Sequence, residues 1–200
     1  MRSSPSVILW DVMDTLVRDP FFTHVAPFFG LSFDELLSRK HPTAWGRFEL
    51  GQLDEQALYT SFFRDGSAID GPGLKRCMAD AYAWIDGIEP LLRELTARDV
   101  PMHALSNYSE WYRLIDERLS LSEYVELSFI SCRTGVRKPA REAYVGACAA
   151  LQRAPEECLF IDDREHNCEA ARAAGLVAVR FDGDLGALRN ALTALGFLAR

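Results

Sequence analysis

Apolar residues in the second half of the chain alternate between short runs rich in β-branched and aromatic residues and longer segments with helical spacing. That alternation is typical of a parallel sheet covered by helices. With a similar run near the start of the chain, the pattern predicts strands at 7–10, 102–105, 129–131, 159–161 and 177–181. The segments between them predict helices at 87–98, 109–119, 139–152, 165–174 and 184–195. Gly175 and Gly196 follow the last two helices, where glycine commonly ends a helix.

The segment from about 21 to 84 has no β-rich run and shows helical spacing only. The predicted helices there are 32–40, 43–50, 54–64 and 73–84. Asp54 stands where an N-cap residue is expected. We therefore predict an α/β fold, with a Rossmann-like parallel sheet core at 1–19 and 86–200 and an all-helical cap at 20–85 inserted after the first strand.

Composition narrows the class of protein. The 200-residue chain is 48% hydrophobic and 26% charged, which is ordinary globular usage. Its net charge of −7 argues against non-specific binding to nucleic acid or to anionic membranes. The apolar runs are too short for a signal peptide or a membrane span, so we expect a cytoplasmic protein, or a plastid one if a transit peptide has been removed. Five cysteines without a C-x-x-C pair predict free thiols.

Polar residues follow four of the predicted strands. Ligands of open α/β sheets bind beyond the carboxyl ends of the strands, so these residues are the candidates for chemistry. They are Asp11, Asp14 and Thr15 after the first strand, Ser106 and Asn107 after the second, Lys138 after the third, and Asp162 and Asp163 after the fourth. Carboxylates suit Mg²⁺, while ammonium and hydroxyl donors suit phosphate oxygens. The set predicts an anionic substrate held with a divalent cation.

Taken in order, these four groups resemble the motifs of the haloacid dehalogenase-like (HAD) superfamily. The helical insertion lies where a cap of the first (C1) type belongs, and the resemblance spans nearly the whole chain. The stretches 8–21, 27–30, 40–42 and 45–49 are similar, more locally, to the group that includes plastid-type flavin mononucleotide hydrolases.

This resemblance implies a Mg²⁺-dependent phosphatase that hydrolyses a small phosphomonoester, with flavin mononucleotide as the favoured substrate. Asp11 would attack phosphorus and form an aspartyl phosphate. The implied metal ligands are Asp11, Asp162, Asp163 and the backbone carbonyl of Met13. The implied phosphate-binding residues are Thr15, Ser106, Asn107 and Lys138, and Lys138 is also expected to be catalytic.

The sequence departs from the family pattern at Met13. Phosphatases of this superfamily carry a second aspartate there, which protonates the leaving group, and a thioether cannot do so. Asp14 is the next residue, and in extended backbone its side chain would turn to the other face. Asp14 is therefore either a substitute acid in a bent loop or a turn residue that accepts a backbone hydrogen bond. Without an acid, hydrolysis of alkyl esters would slow by roughly 10²- to 10⁴-fold.

Aromatic residues near the insertion are candidates for holding a flat substrate, or else form the core of the cap. Phe21 and Trp45 are the candidates in the cap. Tyr108 and Trp111 are expected to be exposed at the cap interface.

Other functions stay open at this point. A sugar phosphate is the alternative substrate. A metal-free dehalogenase also lacks the second aspartate, but Asp162 and Asp163 would then be uncompensated charges beside the nucleophile. A non-catalytic module that has lost turnover with Met13 is the third alternative. None of the four histidines has a metal-ligand spacing.

Overall fold

A single parallel sheet forms the centre of the computed structural model, which describes residues 5–199. Its strands are β1 (Val7–Trp10), β2 (Met102–Ser106), β3 (Glu126–Ile130), β4 (Cys158–Asp162) and β5 (Val177–Arg180). Their order is β3-β2-β1-β4-β5, with β1 paired to β2 on one side and to β4 on the other. The strand order therefore reverses at β1, and ligands of such sheets bind beside the reversal. The predicted fold class is confirmed.

The segment after β1 is helical, as predicted. A π-helical turn (Phe21–Val25) continues into α1 (Ala26–Phe28), and α2 (Phe33–Arg39), α3 (Ala44–Glu49), α4 (Glu55–Ser61) and α5 (Gly71–Ala81) follow. Asp54 accepts a hydrogen bond from the backbone N–H of Ala57 at 2.8 Å, as expected of an N-cap. Helix α5 begins two residues before its predicted start, because Asp70 caps it and Pro72 suits its first turn. The first two elements were not predicted.

The remaining helices cover the sheet. They are α6 (Ile88–Thr96), α7 (Tyr112–Leu119), α8 (Ser131–Thr134), α9 (Arg141–Ala150), α10 (Glu165–Ala173) and α11 (Leu185–Ala194). Side chains of β1 alternate between two apolar layers: Ile8 and Trp10 pack into the larger cluster, and Val7 and Leu9 into the smaller one. All four side chains of β1 are buried, which explains why the strand is apolar at every position.

The third strand was predicted wrongly as 129–131. Strand β3 lies at the sheet edge and pairs only with β2, so its early residues include the exposed Glu126 and do not form an apolar run. Ser131 is not in the strand, because it begins α8.

Among the contacts that join the helical insertion to the rest of the chain, four lie close to the carboxyl edge of the sheet. Gly51 has a φ of +68°, and a Cβ there would lie 2.5 Å from the carbonyl oxygen of Cys132, so this approach needs glycine. The Ser131 hydroxyl donates to the backbone carbonyl of Glu49. The remaining two contacts are the Tyr82–Tyr108 hydroxyl pair at 2.7 Å and the Trp111 indole N–H to Glu55 Oε1 at 2.7 Å. The insertion therefore packs directly on the carboxyl edge of the sheet.

The boundaries between the core and the cap stay a prediction. Residues 1–4 and 200 of the predicted core lie outside the described residues. All five cysteines are free, as predicted. Gly175 and Gly196 have φ values of +100° and +88° and end their helices, also as predicted. Among the described residues, no helix has the length and apolarity needed to cross a membrane.

Candidate active site

The carboxylates predicted from the sequence meet beside the reversal of strand order. Asp11 follows β1, and its backbone N–H donates to the carbonyl of Ile161 in β4 at 2.8 Å. Asp162 ends β4 and Asp163 follows it. Each of the three acids offers one oxygen within 4.8 Å of the others. Such a concentration of negative charge requires a cation to offset it.

Lys138 supplies part of that compensation. Its Nζ lies 2.7 Å from Asp11 Oδ1 and 2.7 Å from Asp162 Oδ2. Burial by itself would lower the pKa of Lys138, but the two carboxylates outweigh it and raise the pKa above its usual value. Burial raises the pKa of Asp11, and the Lys138 ammonium opposes that rise. Lys138 therefore stays charged and holds Asp11 in place.

Asn107 fixes the backbone that carries Lys138. Its Nδ2 donates to the Lys138 carbonyl at 2.8 Å, and its Oδ1 accepts from the Lys138 N–H at 2.8 Å. An amide that pairs with both backbone groups of one residue orients that residue without adding charge. Asn107 lines the cavity described below, but its polar atoms are engaged with the chain.

Asp162 is the most enclosed of the three acids. Its side chain is fully buried. Besides Lys138, it accepts from the backbone N–H of Arg164 at 2.8 Å and from Asn167 Nδ2 at 3.0 Å to both oxygens. These bonds make Asp162 an anchor for Lys138, and they compete with any metal for its oxygens.

Asp163 has the character of a metal ligand. Burial, followed by the charges of Asp11 and Asp162, raises its pKa to about 7. Its Oδ1 is buried and has no hydrogen-bond partner among the described residues. A buried, unpartnered carboxylate oxygen beside two further carboxylates fits a hard divalent cation such as Mg²⁺.

Two hydroxyls at the same edge are buried and form no hydrogen bond with any residue in the described part of the chain. They are Ser106 Oγ at the end of β2 and Thr15 Oγ1 in the loop after β1. Buried polar atoms normally form hydrogen bonds, so unpartnered hydroxyls at a site suggest a missing ligand. Phosphate oxygens are acceptors that such donors fit.

A cavity of about 290 Å³ opens in front of Asp11 and Lys138. From the cap, Trp45 and Glu49 line it, and from the segment before Lys138, Arg137 does. Glu49 accepts from the Trp45 indole N–H at 2.8 Å and pairs with Arg137 at 2.5 Å. The part of the cavity wall formed by these three residues is therefore both aromatic and polar.

Met13 and Asp14 lie on different sides of the loop after β1. Met13 lines the cavity with Asp11, whereas Asp14 lines a second cavity with Arg18 and Asp163. Asp14 has a φ of +56°, and its Oδ1 accepts from the backbone N–H of Asp19 at 3.0 Å. The geometry of Asp14 is that of a turn residue.

The aromatic candidates divide into two groups. Trp45 and Tyr108 line the cavity, and Phe21 packs against Trp45 with ring centroids 5.9 Å apart. The expectation that Tyr108 and Trp111 are exposed at the cap interface is wrong: they are 3% and 1% exposed. Cap residues cover both rings and bond to their polar ends, so Trp111 is a structural contact.

Six polar residues that line the cavity were not predicted from the sequence as site residues. They are Asp19, Glu49, Arg137, Arg164, His166 and Asn167. Asn167 follows Asp162 by five residues in the first turns of α10, a spacing that could have suggested the contact. Glu49 comes from α3 and meets Arg137 only because α3 packs against α8, which no local pattern shows. The functional roles of the predicted site residues stay predictions.

Comparison with known proteins gives consistent results. A family model described as haloacid dehalogenase-like hydrolase matches residues 6–175. A chloroplastic flavin mononucleotide hydrolase from Arabidopsis thaliana is 44% identical over 176 residues, covering 88% of this chain and 72% of the relative. A ribulose-1,5-bisphosphate 5-phosphatase from Halopiger xanaduensis is 34% identical over 122 residues, covering 56% of this chain and 51% of the relative.

Among solved structures, a HAD family enzyme from Bacteroides thetaiotaomicron superposes with a TM-score of 0.74 at 16% identity. The match covers 92% of this chain and 98% of the other. That structure is of an aspartate-to-alanine mutant in complex with magnesium and inorganic phosphate. At this identity the likeness establishes the fold.

Proposed function

Because the chain belongs to the haloacid dehalogenase-like hydrolase family, we propose that it is a Mg²⁺-dependent phosphatase that hydrolyses flavin mononucleotide to riboflavin and phosphate. The observation that carries the proposal is the buried pair of Asp11 and Lys138, 2.7 Å apart, at the open end of β1. The plant relative, which is 44% identical to this chain over 176 residues, supplies the substrate.

Asp11 is the nucleophile in this proposal. One of its oxygens forms a bond to phosphorus while the bond to the leaving oxygen breaks, and water then releases the phosphate and restores the carboxylate. Lys138 holds the Asp11 carboxylate by Oδ1, which leaves Oδ2 for attack. The Lys138 ammonium and the Ser106 hydroxyl stabilise the charge on the phosphate oxygens.

Mg²⁺ would be held by Asp163 and Asp11, together with the backbone carbonyl of Met13. When bound, the metal neutralises charge on the phosphate and allows an anionic nucleophile to approach it. The three carboxylates within 4.8 Å of one another and the unpartnered oxygen of Asp163 support this assignment. Asp162 contributes by anchoring Lys138, because its oxygens are already engaged.

The cap side of the cavity would receive the leaving group. Trp45 places an aromatic side chain on the cavity wall, where it would contact a flat group. Glu49 and Arg137 offer an acceptor and donors for polar edges or hydroxyls. These features support an aromatic group joined to phosphate through a hydroxylated chain, as in flavin mononucleotide.

A sugar phosphate is the second candidate substrate. The pair of Glu49 and Arg137 is polar enough to bind sugar hydroxyls without an aromatic ring. The relative from Halopiger xanaduensis is a sugar bisphosphate phosphatase.

The test is phosphate release from flavin mononucleotide, from a panel of sugar phosphates and from p-nitrophenyl phosphate, with Mg²⁺ and with EDTA. We expect flavin mononucleotide to have the highest kcat/KM, and a Trp45→Ala variant to lose more with it than with a sugar phosphate. Gln52→Ala, an exposed change in the cap, is the matched control. A sugar phosphate with the highest kcat/KM would contradict the substrate, and no release from any ester would contradict the activity.

Partners and location are proposed on the same basis. We take the partner to be a small-molecule phosphate ester and the location to be the cytoplasm, although the plant relative is named as chloroplastic. Fractionation of cells that express the full chain tests the location.

A further inference from the structure

We propose that Asp19 is the acid that protonates the leaving group, in place of the carboxyl that the family pattern has at Met13. The inference rests on the proposed phosphatase activity. Asp19 stands where the loop after β1 enters the cap, and it lines the same cavity as Asp11 and Met13. An acid on this wall can reach an oxygen that is being displaced from phosphorus by Asp11.

The Asp19 carboxyl has one oxygen free for this task. Its Oδ1 accepts from the backbone N–H of Phe21 at 2.9 Å. No hydrogen bond to its Oδ2 is formed by the residues that the structure describes. A cavity-lining carboxyl that is held by one oxygen is fixed in position, and its other oxygen is still able to give a proton.

The backbone of Asp19 is fixed as well. Its N–H donates to Asp14 Oδ1 at 3.0 Å, and the left-handed φ of Asp14 turns that carboxylate back toward the chain. Asp14 directly follows Met13, so this carboxylate and the carboxyl that is absent at 13 belong to the same loop. Asp14 is then a positioning residue for Asp19. Its place in the second cavity would not by itself give Asp14 a function.

The electrostatic surroundings keep this carboxyl protonated at mildly acidic pH. Burial is the largest cause, and the nearby carboxylates of Asp14 and Asp11 add to it, so that the pKa of Asp19 rises to about 6. The hydrogen bond from Phe21 and the charge of Arg164 act in the other direction. Three further titratable groups face Asp19: Tyr82, Tyr108 and Glu49.

The other candidates on the cavity wall are less suitable. Glu49 accepts from the Trp45 indole and forms an ion pair with Arg137, whose charge opposes protonation of the Glu49 carboxylate. Tyr108 is buried and shares its hydroxyl with Tyr82. His166 is exposed on α10, outside the loop that carries the nucleophile.

The proton transfer can be written for both halves of the reaction. In the first, the Asp19 O–H bond breaks and an O–H bond forms on the leaving oxygen as that oxygen separates from phosphorus. In the second, the Asp19 carboxylate takes a proton from the water whose oxygen bonds to phosphorus, while the bond from phosphorus to Asp11 breaks. Phosphate leaves, and both carboxyl groups return to their starting states.

The experiment compares first-turnover rates of Asp19→Asn with an alkyl ester, flavin mononucleotide, and with an aryl ester, p-nitrophenyl phosphate. The amide keeps an acceptor for Phe21 but has no proton to give. Because nitrophenolate leaves without a proton, we expect a loss of about 10²-fold or more with the alkyl ester and less than about threefold with the aryl ester. A Met13→Asp change in the Asp19→Asn background is expected to restore part of the alkyl rate.

The control is Asp99→Asn, an exposed carboxylate at the opposite end of the sheet, which is expected to match wild type with both esters. Equal losses with both esters in Asp19→Asn, or no loss with either, would overturn the acid role and leave the proposed activity intact. An alkyl-selective loss in His166→Gln, without one in Asp19→Asn, would also overturn it. A wild-type protein that releases phosphate from neither ester would overturn the proposed activity itself, and the acid role with it.

Discussion

The Lys138 ammonium lies 2.7 Å from Asp162 Oδ2, in a place where neither side chain is more than 2% exposed. A buried charge that loses its partner is strongly destabilising, whereas removing both charges together can be neutral. The pair is therefore a structural requirement of the site as well as a chemical one. Substituting Lys138 alone changes both stability and activity, whereas substituting both residues of the pair separates the two effects.

We predict that Lys138→Met abolishes turnover and lowers the free energy of unfolding by about 3–5 kcal/mol, because Asp11 and Asp162 are left unpaired. The double variant Lys138→Met, Asp162→Asn should recover much of that stability and none of the activity. Urea unfolding and phosphate release measure the two quantities. A double variant that is no more stable than the single one would show that the Asp162 charge is not what Lys138 compensates.

Asp11→Asn is predicted to abolish turnover with the fold intact. The amide is nearly isosteric with the carboxylate, but it is neither a nucleophile nor a strong ligand for Mg²⁺. Phosphate release is the assay, with circular dichroism as the check on folding. A variant that keeps a tenth or so of the wild-type rate would rule out a covalent intermediate on Asp11.

Magnesium dependence should trace first to Asp163. Its Oδ1 has no hydrogen-bond partner within residues 5–199, whereas the oxygens of Asp162 are bonded to Lys138, Asn167 and a backbone N–H. We expect EDTA to stop turnover, and Asp163→Ala to raise the Mg²⁺ concentration needed for half-maximal rate by at least about tenfold. Asp162→Ala should lower stability more than it changes that concentration. Full activity in EDTA would support a metal-free reaction and the dehalogenase alternative.

The sequence predicted the sheet and the position of Asp11 at its carboxyl edge, because both follow from local patterns, whereas the role of Asp11 as nucleophile stays a prediction. Buried strands such as β1 are continuous apolar runs, and a parallel sheet brings their carboxyl ends together, so Asp11 and Asp163 could be placed together before the fold was known. The family resemblance is confirmed by the match over residues 6–175 and by the 44% identical relative.

What the sequence did not predict depends on contacts between distant segments. Glu49 and Arg137 are far apart in the chain and meet only through the packing of the cap on α8. The burial of Tyr108 depends on Tyr82, which comes from the end of the insertion. Strand β3 was misplaced because an edge strand does not need apolar residues on both faces.

Stability should depend on pH through Asp19. Its pKa is about 6 in the folded protein and about 3.9 when unfolded. The folded state therefore holds the proton more tightly, and the stabilisation present below pH 4 is lost as the pH rises through 6. Between pH 5 and pH 8 we expect wild type to lose about 1 kcal/mol relative to Asp19→Asn, allowing for partial exposure. Urea unfolding at the two pH values measures this difference, and Asp99→Asn is the control. If the free energy of unfolding changed equally with pH in all three proteins, the shifted pKa would be wrong.

The last prediction separates the two possible roles of Asp14. Its φ is +56°, and its carboxylate accepts from the Asp19 N–H. Asn keeps the acceptor and tolerates this φ, Gly keeps only the φ, and Ala keeps neither. We expect the free energy of unfolding of Asp14→Asn to match wild type within about 0.5 kcal/mol. Asp14→Gly should lose about 1 kcal/mol of stability, because the hydrogen bond is absent. Asp14→Ala should lose about 1–2 kcal/mol more, because alanine is strained at this φ. First-turnover rates should follow the same order, with larger losses for flavin mononucleotide than for p-nitrophenyl phosphate, because Asp19 is less well held. If Asp14→Asn instead lost as much as Asp19→Asn with the alkyl ester alone, the proton would come from Asp14, and the loop after β1 would have to rearrange when substrate binds.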